Sequence, residues 1–254
     1  MDWSVEFPRT RFAAFRPLRN EAQRHTTFGY SAVFPDVDKA SCRAYCLLVF
    51  LNGGQDIVAY FELQPAEADL QQLSEQYWIE AGEREKQLET AAFEAGEAIR
   101  GGEYTLPNLE TIVRWKSERV VHYLIGNSSE NIRSALAIAA SPDTRTEDAV
   151  KALIALRGVD ISIASAILAT IYPERFAVLD FRALEALGHA RHDVAFYAEY
   201  NSYCKRLAEC GVVQRKEGLP GPTALHALER AFWQWSKCRQ EWGAPELSRV
   251  KSAS

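Results

Sequence analysis

A single carboxylate closes the apolar run Phe176-Ala177-Val178-Leu179-Asp180. Such a group has two uses. It can cap the helix expected from Phe181 by accepting that helix's first amides. Held against developing positive charge, it can stabilise that charge and orient or deprotonate a water. The uses are compatible, because a capping aspartate is firmly positioned. Upstream, Leu156-Arg157-Gly158-Val159-Asp160 breaks an apolar helical pattern, and a second apolar helix, 161–172, starts at once. Gly158 lets the backbone turn without a Cβ clash. The second helix then points its unsatisfied N-terminal amides outward, where its dipole favours an anion such as a phosphate. A plain helix–helix turn is the simpler reading. Asp160 tolerates a left-handed backbone and can cap the second helix, although its charge beside a phosphate is unfavourable. Arg157 can add a phosphate contact. A third group, Arg114, Trp115, Lys116 and Arg119, mixes cations with an aromatic ring and suits phosphate contact, stacking and gap filling. Its plainer reading is a core tryptophan beside a solvated cationic face.

The elements that must position these groups are mostly helices. After Pro65 the pattern turns helical and stays so. Residues 66–100 read as one or two amphipathic acidic helices ended by Gly101-Gly102. Further helices are expected over 109–115, 120–125, 132–140 with Asn127–Ser129 as the cap region, 146–156, 161–172, 182–187, 194–209 and 224–238. Residues 42–51 and 57–63 are strand-like around the turn Asn52-Gly53-Gly54, which predicts a β-hairpin. The expected organisation is a hairpin-containing region over 1–65, a helical domain over 66–243 and a frayed tail over 244–254.

The hairpin and trailing aspartate resemble the helix-hairpin-helix base-excision DNA glycosylase superfamily, as a divergent member. In that superfamily the loop usually reads leucine-proline-glycine-valine-glycine. Here Arg157 stands for the proline and Asp160 for the second glycine. Bifunctional members carry a nucleophilic lysine where this chain has Ser162, and Asp180 follows eighteen residues later, close to their lysine-to-aspartate separation. Motifs are recognisable over about 109–187. The resemblance implies a mainly α fold of two helical subdomains around a cleft. It implies a monofunctional DNA glycosylase that flips a damaged or modified base, hydrolyses its N-glycosidic bond and leaves an abasic site. Asp180 would be the catalytic carboxylate, and without an amine at Ser162 no lyase chemistry is expected. Arg157, Gly158, Val159, Asp160 and Ser162 would meet the 3′-side phosphate. Arg114, Trp115, Lys116 and Arg119 would fill the gap left by the flipped base and contact the backbone. The carbonyls of Ile154, Leu156 and Val159 would hold a monovalent cation. No cofactor is otherwise required, and an iron–sulfur cluster is not expected, because four cysteines at cluster spacing are absent.

Composition bounds the alternatives. The net charge is −5, but residues 62–97 hold ten acidic and two basic side chains, so the remainder carries +3. That block reads as a solvated helix surface, leaving local basic patches free to bind DNA with modest general electrostatics. The five cysteines, Cys42, Cys46, Cys204, Cys210 and Cys238, form no disulfide framework and fit a reducing compartment. The N-terminus lacks a signal-peptide apolar stretch and no run approaches a membrane span, so a soluble, cytoplasmic protein is expected. The histidines are scattered and read as surface residues without a metal set. Trp233 and Trp235 read as core packing or base-pocket lining. Two other function classes stay open: a non-catalytic helix-hairpin-helix DNA-binding or scaffold protein, and a protein-interaction module built on the acidic helix. The sequence does not choose between repair and antiviral defence against modified foreign DNA.

Overall fold

The computed structural model describes residues 61–215 and 222–242, and these are mainly helical. In chain order the helices are α1 (Leu70–Glu80), α2 (Glu83–Arg100), α3 (Leu106–Ser117), α4 (Val121–Leu124) and α5 (Ser129–Ala139). There follow α6 (Thr146–Ile154), α7 (Ile161–Ile171), α8 (Phe181–Ala186), α9 (Val194–Glu209) and α10 (Ala224–Trp242). Their starts follow the polar punctuation of the chain. Thr105, Ser128, Asp160, Asp180 and Asp193 each accept amides from the helix they precede. Pro107 sits in the first turn of α3, where its missing N–H costs nothing. The acidic region resolves into two helices, α1 and α2, separated at Ala81-Gly82. The last helix runs past the expected Cys238 to Trp242.

α7 is the central element. Ile163 through Ile171 is buried without a break, so this helix is apolar all round and must be covered on every side. α2, α3 and α6 cover it. Full burial of Ile167, Leu168 and Ile171 is worth about 1.5–3 kcal/mol each. The α2–α7 approach is close enough to need a missing side chain. A Cβ on Gly96 would lie 2.3 Å from the Thr170 carbonyl oxygen. α10 packs on α1, α8 and α9, and α5 packs on α6.

The expected β-hairpin lies outside the described residues except for its last three. Those residues, 61–63, are not a strand: the Glu62 amide donates to the Leu187 carbonyl at 3.3 Å, at the end of α8. The tail over 244–254 also lies outside the described residues. No helix among the described residues is long and apolar enough to cross a membrane.

Candidate active site

Asp180 is held by a segment that belongs to neither a helix nor a sheet. Residues 176–179 are buried, so every backbone group there needs a partner. The Phe176 amide donates to the Tyr172 carbonyl at 3.1 Å, and side chains serve residues 177–179. The Ala177 amide donates to Asn201 Oδ1 at 2.8 Å, and Val178 donates to Glu229 Oε1 at 2.5 Å. Tyr197 and Tyr200 hydroxyls donate to the carbonyls of Ala177 and Val178 at 3.0 and 2.7 Å. The Leu179 amide donates to Ser165 Oγ of α7 at 2.9 Å. This clamp from α7, α9 and α10 fixes where the chain delivers its carboxylate.

Asp180 then caps α8. Its Oδ1 accepts the Arg182 and Ala183 amides at 3.1 and 3.0 Å. Its Oδ2 accepts Lys116 Nζ, from the last turn of α3, at 2.5 Å. The two side chains are only 17% and 15% exposed. Burial pushes the Asp180 carboxyl up, but the Lys116 charge and hydrogen bond with the two backbone amides outweigh it, and the group is held below its ordinary value. Asp180 is therefore a fixed anion.

Two cavities meet at this pair. An open outer one of about 840 Å³ is lined by Lys116, Arg119, Gly158, Ser162, Asp180 and His192, among others. An inner one of about 210 Å³ is lined by Tyr77, Glu89, Trp115, Lys116, Asp180, His226, Glu229, Arg230 and Trp233. Lys116, Asp180 and Trp233 belong to both. Trp233 is thus pocket lining, whereas Trp235 is buried core.

The inner wall is a buried charge network that sequence reasoning missed. Glu89 is 3% exposed and His226 4%, so neither belongs to a solvated surface as expected. His226 Nε2 lies 3.1 Å from Glu89 Oε1, and Nδ1 lies 2.9 Å from Glu229 Oε2. Arg230 pairs with Glu89, and the Tyr77 hydroxyl donates to Glu89 Oε2 at 3.0 Å. Burial works against the charge of both Glu89 and His226, yet each partner wins. Glu89 is lowered to about 2, and His226 is raised above its ordinary value. A signal did exist. In α10, His226, Glu229 and Arg230 interrupt an otherwise apolar face at helical spacing.

A turn does join α6 to α7 at Gly158, but it differs in detail from the expected loop. Gly158 has φ +84°, and a Cβ there would lie 2.8 Å from the Tyr123 Cβ. Asp160 is extended, with φ −97°, and not left-handed as expected. Its Oδ1 accepts the Ile163 amide at 2.8 Å, so the carboxylate already occupies one of the amides a phosphate would seek. Arg157 does not line the outer cavity. Asn127 grips its backbone by accepting the Arg157 amide at 2.8 Å and donating to its carbonyl at 3.0 Å. Of the three carbonyls expected around a cation, that of Leu156 accepts the Val159 amide at 3.2 Å.

The expected gap-filling group is split up. Trp115 turns inward against Phe93 and His226, because it lies on the α3 face that meets α2. Lys116 goes to Asp180. Arg114 is exposed, 3.8 Å from Glu118. Arg119 alone of the four is an exposed group on the outer cavity. Two aromatics not anticipated there, Tyr123 and Phe181, line the same cavity while 52% and 59% exposed. Among the described residues no cluster of three or more histidine, cysteine or carboxylate side chains is arranged to hold a metal. No family model, curated protein or solved structure matches this chain.

Proposed function

We propose that this chain is a DNA N-glycosylase of the helix-hairpin-helix type, with Asp180 as its catalytic carboxylate. One observation carries the reading: a buried, ionised aspartate stands where an open outer cavity meets a smaller inner one. A flipped nucleotide needs that arrangement. Its base enters the inner cavity between Trp115, Trp233 and the charged wall, and its sugar rests against Asp180. Breaking the N-glycosidic bond builds positive charge on the sugar. Asp180 opposes that charge without reorganising, because two amides and an ammonium already fix it. Ser162 offers no amine, so water is the acceptor and the product is an abasic site.

The outer cavity suits the DNA backbone. Arg119 and His192 supply cationic or donor groups there, with the Gly158 turn and Ser162 beside them. Tyr123 and Phe181 take over the role first given to Trp115, stacking on bases next to the gap. The Asp160 cap weakens the hairpin as a phosphate site, so Arg119 carries more of that contact. The target is a damaged or modified base, in repair or in defence against foreign DNA. Incubation with duplexes carrying a panel of modified bases, followed by alkaline cleavage, tests the reading. Abasic-site formation that is lost in Asp180→Asn supports it. Binding of duplex DNA with no base released from any substrate favours the non-catalytic DNA-binding alternative.

A further inference from the structure

The clamp on residues 177–179 is made of neutral side chains with one exception. Asn201, Tyr197, Tyr200 and Ser165 are uncharged, whereas the Val178 amide, two residues before Asp180, is held by the carboxylate of Glu229 at 2.5 Å. A hydrogen bond to a charged acceptor is about twice as strong as a neutral one. The other Glu229 oxygen, Oε2, lies 2.9 Å from His226 Nδ1, and the side chain is 9% exposed. A carboxylate gripped at both oxygens in a buried site cannot turn away. His226 is fixed in its own right. Its Nε2 lies 3.1 Å from Glu89 of α2, its ring meets Phe93 edge-on at 4.7 Å, and its amide donates to Thr223 Oγ1 at 3.1 Å. A continuous line of contacts therefore runs from α2 through His226 and Glu229 to the peptide that carries Asp180.

We propose that Glu229 is a positioning residue for Asp180, acting through the Val178 peptide. The inference rests on the glycosylase reading for what Asp180 does, but not for where Asp180 stands. Without Glu229 the Val178 amide is buried with no acceptor, which is costly enough to move the segment. Asp180 then parts from Lys116, whose charge and hydrogen bond hold its carboxyl below the ordinary value. Its titration moves to higher pH as that support is lost. Loss of the negative charge of Glu229 would by itself move the titration the other way. A rise therefore reports displacement.

Two variants of the full chain separate anchor from charge. Glu229→Ala removes both, and Glu229→Gln keeps an oxygen for Val178. The Asp180 carboxyl is titrated by NMR in the free, carbon-13-labelled protein, its signal identified by its loss in Asp180→Asn. The expected result is a titration at higher pH than wild type in Glu229→Ala and no rise in Glu229→Gln. With modified duplexes, kcat for base release should fall about 10²-fold in Glu229→Ala with KM little changed, and Glu229→Gln should recover part of it. Circular dichroism checks the fold. Should Glu229→Ala not fold, Glu229→Asp keeps the charge but stops one methylene short of Val178, and the same rise is expected. A merely structural role lowers the unfolding midpoint and leaves the Asp180 titration in place. That result, or an equal rise in Glu229→Gln, overturns the proposal, and base release by the wild type then leaves the glycosylase reading standing. The expected titrations with no base released by the wild type would support the positioning role and remove the glycosylase reading.

Discussion

Two aspartates in this chain do the same local job with different consequences. Asp160 caps α7 and Asp180 caps α8, each from extended backbone and each accepting the first amides of its helix. Asp160 is exposed, and its carboxylate holds one amide, that of Ile163. Asp180 is mostly buried, holds two amides and an ammonium, and stands between two cavities. A cap alone is therefore a structural device. Burial, a fixed countercharge and open space on both sides turn the second one into a candidate catalyst. The difference lies in what other helices bring: α3 delivers Lys116 and α10 delivers the charged inner wall, and among the described residues nothing comparable backs Asp160.

The comparison breaks most sharply at Asp180 itself. Asp180→Asn should lower base release by about 10³-fold, measured by alkaline cleavage, because the negative charge and not the cap opposes the sugar cation. Asparagine still caps α8, but Lys116 loses its partner. Urea denaturation should therefore show a cost of about 1–3 kcal/mol.

Behind Asp180, the buried network should dominate stability. Glu89→Gln should cost about 3–5 kcal/mol in the same denaturation experiment, because His226 and Arg230 stay buried beside a neutral amide. The pH dependence follows from the two directions. His226 is raised, so its contribution is full below its ordinary 6.5 and is lost as pH rises through its folded value. Glu89 is lowered, so its contribution is full above 4.5 and lost only as pH falls through about 2. Glu89→Gln should flatten the alkaline loss.

Lys116→Gln sharpens the comparison without touching the carboxylate. Burial of Asp180 remains while the countercharge goes, so its folded value rises. The acid limb of the pH profile for base release should move to higher pH. An unmoved limb would mean that Asp180 is no more than a second cap.

At the hairpin the effects are smaller. Gly158→Val forces a β-branched residue into φ +84° and against Tyr123, and should cost about 1–3 kcal/mol in thermal or urea unfolding. Asp160→Asn should change stability by less than about 0.5 kcal/mol and leave base release intact, since asparagine caps nearly as well.

Much of the helical layout was legible in the chain, because its signals are local. Gly101-Gly102 ends α2, Ser128 starts α5, Asp193 starts α9, and Gly158 makes the turn before α7. The candidate site was legible only in part. Asp180 could be singled out from the apolar run before it. Trp115 and Lys116 were noticed as a gap-filling and phosphate-contacting pair, but the sequence did not show that one meets Phe93 and His226 and the other Asp180, since their direction depends on how α3 lies against α2 and α7. His226 and Glu89 were set aside as surface groups, although they are 137 residues apart and in contact.

The sequence by itself determined roughly where most helices lie, that 161–172 is an apolar helix, and that Asp160 and Asp180 stand where they can cap helices. Those outcomes depend on neighbours within a turn or two of chain. Only the tertiary structure decided which carboxylate gains a lysine, which tryptophan lines a pocket, and which acidic residue is buried. These depend on packing between helices distant in sequence. The physical reason is that a charge in a low-dielectric site is defined by its partners and its solvent exposure, and neither is a property of the residue's place in the chain.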